Sequence, residues 1–185
     1  MLKTKNKHND AELVELFNAG QKEKAFNQIV SKYQERLYWH IRKIVISHDD
    51  ADDALQNTFI KTWKGLENFR SDSQLFTWLY RIATNEGLSL LKSKKRRTLV
   101  PLEGDEYDLS ETLMSDAYFC GNEAQQKLQE ALLKLPEKQR LVFNMKYFED
   151  LKYDEIAEIL DTSIGALKAS YHHAVKKLEN LLSED

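Results

Sequence analysis

The chain has 185 residues, 42% of them hydrophobic, and a formal net charge of −3, which suits a folded globular protein and excludes a highly charged disordered chain. With only 6 Gly and 2 Pro, it is short of the residues that the turns of parallel-sheet and all-β folds require, so we predict an all-α fold. The single cysteine, Cys120, excludes an internal disulfide. No apolar run approaches the ~20 residues that cross a bilayer, and the polar residues after Met1 do not resemble a signal peptide, so we expect no membrane insertion and a cytoplasmic location.

Charge is distributed unevenly along the chain. Residues 1–97 carry 18 Lys and Arg against 12 Asp and Glu, residues 98–122 carry none against 6, and residues 123–185 carry 9 against 12. The middle block contains Pro101 and Gly104 and shows neither a helical nor a strand period, which predicts a flexible acidic linker. We therefore predict two small helical modules, at 10–97 and 123–185, joined by a linker at 98–122.

Three helices are predicted in the first part of the N-terminal module. The stretch "DAELVELFNAG" indicates a short helix that ends at Gly20, and apolar residues at three- and four-residue steps from Ala25 to Val45 indicate a long one. The stretch "HDDADDALQNTFIKTWKGL" indicates a third helix, with four aspartates at its start. Acidic side chains are favourable there, because the backbone amides of the first turn are unpaired and the helix dipole is positive. A calcium loop would need a central Gly and a terminal Glu, which this stretch lacks.

A helical wheel divides this third helix into two sides. Ala51, Leu55, Phe59, Thr62 and Leu66 share the side that we predict to be buried. The other side is polar except for one isoleucine and consists of Asp50, Asp53, Asn57, Ile60, Lys61 and Lys64. An exposed isoleucine suits either an ordinary solvated surface or a face that docks a partner protein, and the wheel leaves both open.

The next segment, "FTWLYRIATNEGLSLLKSKKRR", combines aromatic residues with cations. The preceding "SDSQ" offers a capping box formed by Ser71 and Gln74, and the aromatic residues are predicted to face the core. The opposite stripe is predicted to be exposed and consists of Thr77, Arg81, Thr84, Asn85, Leu88, Lys92 and Lys95. Because this stripe meets "KSKKRR" and does not mix the two signs of charge, it is typical of a surface that binds a phosphate backbone.

The C-terminal module has the pattern of a helix-turn-helix. An amphipathic helix ends near Pro136, a second begins there, and "YDEIAEIL", "DTS" and "IGALKASYHHAVKKLENLL" then give a short helix, a turn and a longer helix. On the longer helix the residues predicted to face inward are Ile164, Leu167, Tyr171, Ala174, Val175, Leu178 and Leu182. Those predicted to face outward are Gly165, Lys168, Ala169, His172, His173 and Lys176, a set with small residues for close approach and donors for phosphates and base edges.

Catalytic and metal chemistry find no support in the sequence. His172 and His173 are neighbours on a helix, so their side chains point about 100° apart, and no third ligand accompanies them. No nucleophile with a base, no Gly-rich phosphate loop and no cluster of metal ligands is present. We therefore expect a protein that is not an enzyme and needs neither a metal nor a cofactor.

Three motifs together carry a family resemblance. In this order, "DADDALQNTFIKTW", "FTWLYRIATN" and "LPEKQRLVFNMKYFEDLKYDEIAEIL" with "GALK" resemble bacterial sigma factors of the extracytoplasmic-function (ECF) group of the sigma-70 superfamily. The resemblance implies a transcription initiation factor whose first module binds the clamp helices of the largest subunit of core RNA polymerase and opens the −10 promoter element. It implies that the second module recognises the −35 element and contacts the flap of the second subunit, and that an anti-sigma factor is a further partner.

The resemblance also assigns roles to residues. The implied polymerase-binding residues are Asp50, Asp53, Gln56, Asn57, Ile60 and Lys64. Those implied for the −10 strand, including a loop that would take a flipped base, are Arg70, Ser71, Ser73, Arg81, Asn85, Lys92 and Lys95. Those implied for the −35 duplex are Lys146, Ser163, Gly165, Lys168, Ala169, His172, His173 and Lys176.

The sequence departs from the family pattern at two places. Many relatives carry several arginines on the recognition helix where this chain has Ser170, His173 and Val175, which predicts weaker phosphate binding and a different promoter preference. Lys152 replaces a common Ser before the short helix, and Asp150 is expected to cap that helix instead. The alternative to a sigma factor is a helix-turn-helix repressor or activator that acts without polymerase, although that reading gives the "DADDALQ" helix no role.

Overall fold

The structure is a computed structural model that describes residues 9–69, 73–98 and 123–183, without the side chains of 97 and 98. The described residues contain helices and no strand, which confirms the predicted all-α class. Beyond Thr98, the last residue of a helix, the predicted linker lies outside the described residues, as does Cys120. Within the described residues the α-helices are α1 (Asp10–Asn18), α2 (Lys22–Val45), α3 (His48–Leu66), α4 (Leu75–Thr98), α5 (Glu123–Leu133), α6 (Glu137–Phe143), α7 (Tyr153–Leu160) and α8 (Ile164–Ser183).

Local signals place the first helix boundaries where the sequence predicts them. α1 buries Leu13 and Phe17 and is followed by Gly20, whose φ of 89° lies in the left-handed region that glycine adopts at least cost. α2 ends at Val45 and is followed by Ile46, which has a φ of 68° although it is β-branched, so this corner holds local backbone strain. The side-chain oxygen of Ser47 then accepts the backbone N–H of Asp50 and caps α3.

The first four helices pack around one core, and α3 and α4 approach each other closely at Gly65. A Cβ atom on Gly65 would lie 2.8 Å from Cζ2 of the Trp78 side chain on α4. Glycine therefore allows the end of α3 to rest against the indole ring. This contact fixes the start of α4 relative to α3, the two helices that carry the candidate surfaces described below.

We expect Gly65→Ala to lower the free energy of unfolding by ~1–3 kcal/mol, because the new methyl group overpacks this contact. Chemical denaturation followed by circular dichroism measures the change. Gly165→Ala is the matched control, since a Cβ at Gly165 meets nothing within 4 Å, and its stability should be unchanged or higher by up to about 1 kcal/mol. Equal stability of the two variants would contradict the close approach.

The predicted helix-turn-helix is present as α7, a turn at 161–163 and α8. The expectation that Asp150 caps α7 is wrong: Asp150 lies two residues earlier with a φ of 52°, and Lys152 occupies the cap position. Glu155 completes the cap, because its Oε2 accepts the backbone N–H of Lys152 at 2.7 Å. The inward positions of Ile164 and Leu182 are also wrong; both are exposed in the terminal turns of α8, outside its buried row Leu167, Ala174 and Leu178.

The two modules are docked on each other in this structure. Residues of α6, α7, α8 and the segment between α6 and α7 join the core formed by α1–α4, and α7 packs along α4. The residues of the second module that take part in this shared core are Leu141, Val142, Met145, Leu151, Ile156, Ile159 and Leu167. A smaller separate core, in which Leu132 of α5 meets Phe143 and Leu178, holds the rest of the second module together. The docking therefore places the second module beside α4, the helix that carries the predicted cationic stripe.

Candidate nucleic-acid interface

The outer face of α3 is exposed along three turns. Its members, which we call the α3 face, are Asp53, Gln56, Asn57, Ile60 and Lys64, and all of them are exposed. The wheel predicts this exposure for all of them except Gln56, which only the family resemblance singled out. Ile60 is 47% exposed, and Trp63, three residues further on, is 37% exposed while its ring packs edge-on against Phe17 and Phe26. Sequence reasoning missed Trp63, although its spacing from Ile60 puts both on neighbouring turns of one surface. An exposed apolar pair surrounded by polar residues is typical of a protein-docking face.

The predicted exposed position of Asp50 is wrong. Asp50 is buried, and Lys94 of α4 donates from Nζ to its Oδ2 at 2.5 Å. The wheel describes α3 alone, whereas the C-terminal half of α4 crosses the first turn of α3 and covers this carboxylate. Asp50 therefore joins α3 to α4 in this structure and is not part of the α3 face.

A cleft opens beside the loop that precedes α4. Arg70 and Ser71, with the predicted capping box of Ser71, lie outside the described residues, but Ser73 lines a cleft of about 390 Å³ together with Asn9, Asp10 and Phe69. This volume falls within the ~300–1,000 Å³ of small-molecule pockets.

The Asp10 side chain, at the wall of this cleft, is fixed by hydrogen bonds from two residues of α2. The Tyr33 hydroxyl donates to Asp10 Oδ1 at 2.7 Å, and Lys32 Nζ donates to the same oxygen at 2.7 Å. Burial, and then the bond to Asp10, raise the pKa of Tyr33, so its hydroxyl stays protonated and remains a donor. The carboxylate is therefore oriented by α2 before any ligand arrives.

The polar stripe of α4 is exposed at four of its predicted positions. Arg81, Asn85, Lys92 and Lys95, which we call the α4 stripe, all face solvent. The predicted exposure of Thr77 and Thr84 is wrong, since each is 1% exposed. In the case of Thr84 the reason is a buried hydrogen bond, because its Oγ1 lies 2.8 Å from Nε2 of His40 on α2 and donates to the carbonyl of Tyr80. The exposed polar stripe is thus narrower than the sequence predicts, although its cations Arg81, Lys92 and Lys95 are all exposed.

Two residues of the α4 stripe contact the second module. The Arg81 guanidinium donates from Nη2 to the backbone carbonyl of Glu158, on α7, at 2.6 Å. Lys95 Nζ lies 3.5 Å from Glu137 Oε2, at the start of α6. A nucleic acid on the stripe would compete with both contacts, whereas the exposed side chains of Asn85 and Lys92 have no contact of this kind among the described residues.

The outer face of α8 has the predicted composition and exposure. Gly165, Lys168, Ala169, His172, His173 and Lys176, which we call the α8 face, are all exposed. Ser163 precedes the helix, and its Oγ accepts the backbone N–H of Ala166 at 3.3 Å, so it caps α8. The docking of the modules leaves this face uncovered.

Tyr153 brings two candidate phosphate-binding lysines together. The Nζ atoms of Lys146 and Lys168 lie 5.6 and 5.8 Å from the centroid of the Tyr153 ring, within the range of a cation–π contact. Lys146 also donates to the carbonyl of Leu151 at 3.0 Å, which fixes its position. Sequence reasoning did not single out Tyr153, because the contact joins residues of three elements.

Neither a metal site nor a membrane span is found in the part of the chain that the structure describes. The described residues contain no group of three or more His, Cys, Asp or Glu side chains that could hold a metal ion, and His172 and His173 stand alone with ring centroids 5.9 Å apart. No helix within 9–69, 73–98 or 123–183 is long and apolar enough to cross a bilayer.

Comparison with known proteins gives matches along almost the whole chain. The family described as Sigma-70 region 2 matches residues 29–97, and the family described as Sigma-70, region 4 matches residues 125–178. The ECF RNA polymerase sigma-E factor of Haemophilus influenzae is 31% identical over 92% of this chain and 94% of its own length. The RNA polymerase sigma-H factor of Pseudomonas aeruginosa is 30% identical over 94% of this chain and 93% of its own.

Solved structures similar to this one include two complexes. CnrH in complex with the cytosolic domain of CnrY is similar with a TM-score of 0.71 and 25% identity, over 95% of this chain and 98% of that one. The sigma factor RpoE in complex with the anti-sigma factor NepR, from Bartonella quintana, is similar with a TM-score of 0.67 and 24% identity, over 88% and 99%. The fold found here, with both modules, is therefore shared with these proteins.

Proposed function

Because the chain belongs to the extracytoplasmic-function group of sigma-70 family sigma factors, which direct RNA polymerase to promoters, we propose that its three exposed faces divide this task. The α3 face binds the clamp helices of the largest polymerase subunit. The α4 stripe, with the loop at 70–73, holds the unpaired −10 strand. The α8 face reads the −35 duplex, and the second module contacts the flap of the second subunit. The observation that carries this division is that each face is exposed and lies on a different helix.

The chemistry of the α4 stripe supports a role in holding a single strand. Unpaired bases are bound by stacking, by hydrogen bonds to their edges and by cations along the backbone. Asn85 has the amide that can read a base edge, and Arg81, Lys92 and Lys95 provide the cations. The cleft beside Ser73 lies at the start of the same helix and supports the place of the flipped base.

The α8 face supports recognition of paired DNA. A recognition helix contacts bases with its N-terminal residues and phosphates with the cations beside them. Gly165 and Ala169 allow close approach, while Lys168 and Lys176, with Lys146 placed by Tyr153, reach the backbone. His172 and His173 supply further donors or acceptors to this face.

The remaining assignments follow from the same proposal. We place the functional domains at 10–97 and 123–185, with 98–122 as the linker between them. An anti-sigma factor, the partner of RpoE in the similar structure, is proposed as a partner here as well. The protein acts in the cytoplasm, where polymerase and promoter are found, and it contributes binding and strand opening but no catalytic step, metal or cofactor.

Core polymerase reconstituted with this chain provides the test of the proposal. Transcripts made from genomic DNA should begin downstream of shared −10 and −35 elements, and sequencing their 5′ ends identifies both elements. Removal of residues 123–185 should abolish selection of the −35 element more strongly than use of the −10 element. If start sites depended on neither element, the division of labour between the two modules would be wrong.

Replacing the lysines of the α8 face should reduce the salt dependence of duplex binding. Each phosphate contact that is lost should lower the slope of log K against log salt by roughly 0.9, so Lys168→Ala with Lys176→Ala should lower it by roughly 1.8. Fluorescence anisotropy of the polymerase complex on promoter DNA between low and moderate salt measures the slope. Lys177→Ala removes the same charge from the side of α8 opposite Lys168 and should leave the slope close to that of the parent. An unchanged slope in the double variant would show that the α8 face does not contact phosphates.

A further inference from the structure

Two adjacent histidines give the α8 face a charge that depends on pH. His172 and His173 are both exposed, and their ring centroids lie 5.9 Å apart. His172 shares one row of the helix with Lys168 and Lys176, about 6 Å from each along the helix axis, and Lys177 lies one turn after His173. Because imidazole ordinarily gains its charge between about pH 5 and 8, permanent charges flank a titratable one on this face.

The two histidines have no acidic partner within the described residues. α8 packs against α5, α6 and α7, and neither imidazole forms an ion pair with an acid on these helices, on the turn before α8 or on α8 itself. Glu137 lies beside Lys95, and Glu155 accepts the backbone N–H of Lys152. The other acids of these described elements are Glu123, Glu130, Asp154, Glu158, Asp161 and Glu179.

The other described histidines are placed differently. His40 is 1% exposed, and its Nδ1 lies 3.1 Å from Oε1 of Glu149. His48, at the start of α3, has its Nε2 3.5 Å from Oδ2 of Asp52. Each of these imidazoles has a carboxylate within the same protein, whereas the two imidazoles of α8 face solvent. A DNA phosphate on the α8 face would supply the negative charge that those two lack.

The neighbouring groups of the second module keep one charge state over this pH range. Lys146 and Lys168, whose Nζ atoms lie 5.6 and 5.8 Å from the centre of the Tyr153 ring, stay protonated as lysines do. Burial raises the pKa of Tyr153, so its hydroxyl stays neutral. Any change in the charge of the α8 face near neutral pH therefore comes from the two imidazoles.

A phosphate close to an imidazole favours the imidazolium form. An opposite charge within about 4–6 Å shifts a protonation equilibrium by about tenfold or more toward the charged form. The complex with DNA then holds more protons than the free protein. By linkage, the association constant must fall as pH rises through the range in which imidazole loses its charge.

We propose that His172 and His173 are proton-dependent phosphate ligands, which strengthen the binding of the −35 duplex to the α8 face as pH falls. The inference rests on the proposed function of the α8 face. Lys168 and Lys176 supply the part of the affinity that does not change with pH, and the imidazoles supply the part that does. Promoter binding by this protein therefore depends on the pH of its surroundings.

Calorimetry measures the uptake of protons directly. The polymerase complex is titrated with its −35 duplex near pH 7 in two buffers of different ionisation enthalpy, and the difference in heat gives the number of protons bound. The parent should take up roughly one proton more than His172→Gln with His173→Gln, because each of the two imidazoles gains about half a charge. Both positions are exposed, so the glutamines remove no buried contact.

The affinity should show the same linkage. From about pH 6 to about pH 8, at one salt concentration, the affinity of the parent should fall by up to roughly a hundredfold more than that of the double glutamine variant, or about tenfold for each imidazole. Fluorescence anisotropy of the polymerase complex on the duplex measures this fall. His173→Arg keeps its charge throughout and should bind more tightly than the parent at about pH 8, with a smaller dependence on pH.

His48→Gln is the matched control, since it removes an imidazole that lies on α3, and it should keep the pH dependence of the parent. Equal proton uptake and equal pH dependence in the parent and the double glutamine variant would overturn the proposal. If the lysine variants of the α8 face still lowered the salt slope in that case, the −35 assignment of this face would stand. If the salt slope were unchanged too, the face would not bind the duplex and both proposals would fail.

Discussion

The Asp53→Lys, Ile60→Glu double variant is expected to bind core RNA polymerase at least roughly a hundredfold more weakly than the parent. Asp53 and Ile60 are seven residues apart on α3 and so lie on one face, about 10 Å from each other. Both are exposed, which allows the changes without loss of buried contacts. At a protein interface, a charge in place of a central apolar residue and a reversed rim charge together remove several kcal/mol of binding free energy.

Titration of labelled chain with core polymerase measures this effect, and circular dichroism verifies that helicity is kept. The matched control is Glu35→Lys with Trp39→Glu, which makes the same two kinds of change at exposed positions of α2. The control should retain affinity within a fewfold of the parent. Unchanged affinity of the α3 variant, or an equal loss in the control, would contradict the assignment of the α3 face to the polymerase.

The helices themselves could be predicted because their signals are local. The apolar period from Ala25 to Val45, the stop at Gly20 and the turn before Ile164 each depend on residues within a few positions of one another. The same local reasoning placed the α8 face correctly. When a helix buries one stripe of apolar residues, the spacing of those residues along the sequence also defines the opposite, exposed side. These elements need no knowledge of how the modules meet.

The residues that sequence reasoning misplaced are those whose surroundings come from distant parts of the chain. Asp50 is covered by Lys94, 44 positions away, and Thr84 bonds to His40, also 44 positions away. His40 and Glu149 are separated by 109 positions, and neither carries a local pattern that sets it apart from an ordinary core histidine or surface glutamate. A wheel drawn for one helix cannot contain these contacts, which depend on tertiary packing.

A consequence of the docked arrangement is that one helix serves two exclusive purposes. α4 uses its core face to complete the first module, while its polar stripe binds either α7 or, as proposed, the promoter strand. Arg81 illustrates this choice, because a single guanidinium cannot hold the Glu158 carbonyl and a phosphate in the same place. Asn85, one turn after Arg81 on α4, is also exposed, but it makes no contact with α7 of the kind that Arg81 makes. A change at Asn85 therefore tests binding of the promoter strand separately from docking of the modules.

Replacing Asn85 by alanine is expected to slow promoter opening while leaving promoter occupancy nearly unchanged. The amide of Asn85 is proposed to bond an unpaired −10 base, so it stabilises the open complex but not the closed one. Loss of one such hydrogen-bonded contact should reduce the open fraction by roughly tenfold. Permanganate footprinting of unpaired thymines, on the promoter identified by transcript sequencing, measures that fraction.

A template with a pre-melted −10 bubble distinguishes this defect from a loss of duplex recognition. Unpairing costs a few kcal/mol that the bubble no longer demands, so the bubble should restore much of the open complex to Asn85→Ala. Lys168→Ala with His172→Ala should instead weaken occupancy of both templates, since a −10 bubble replaces no −35 contact. Asn27→Ala, the same change at an exposed position of α2, should behave as the parent on both. Equal opening of fully paired DNA by Asn85→Ala and the parent would remove Asn85 from the proposed −10 surface, and the polymerase titration of the α3 face would be unaffected by that result.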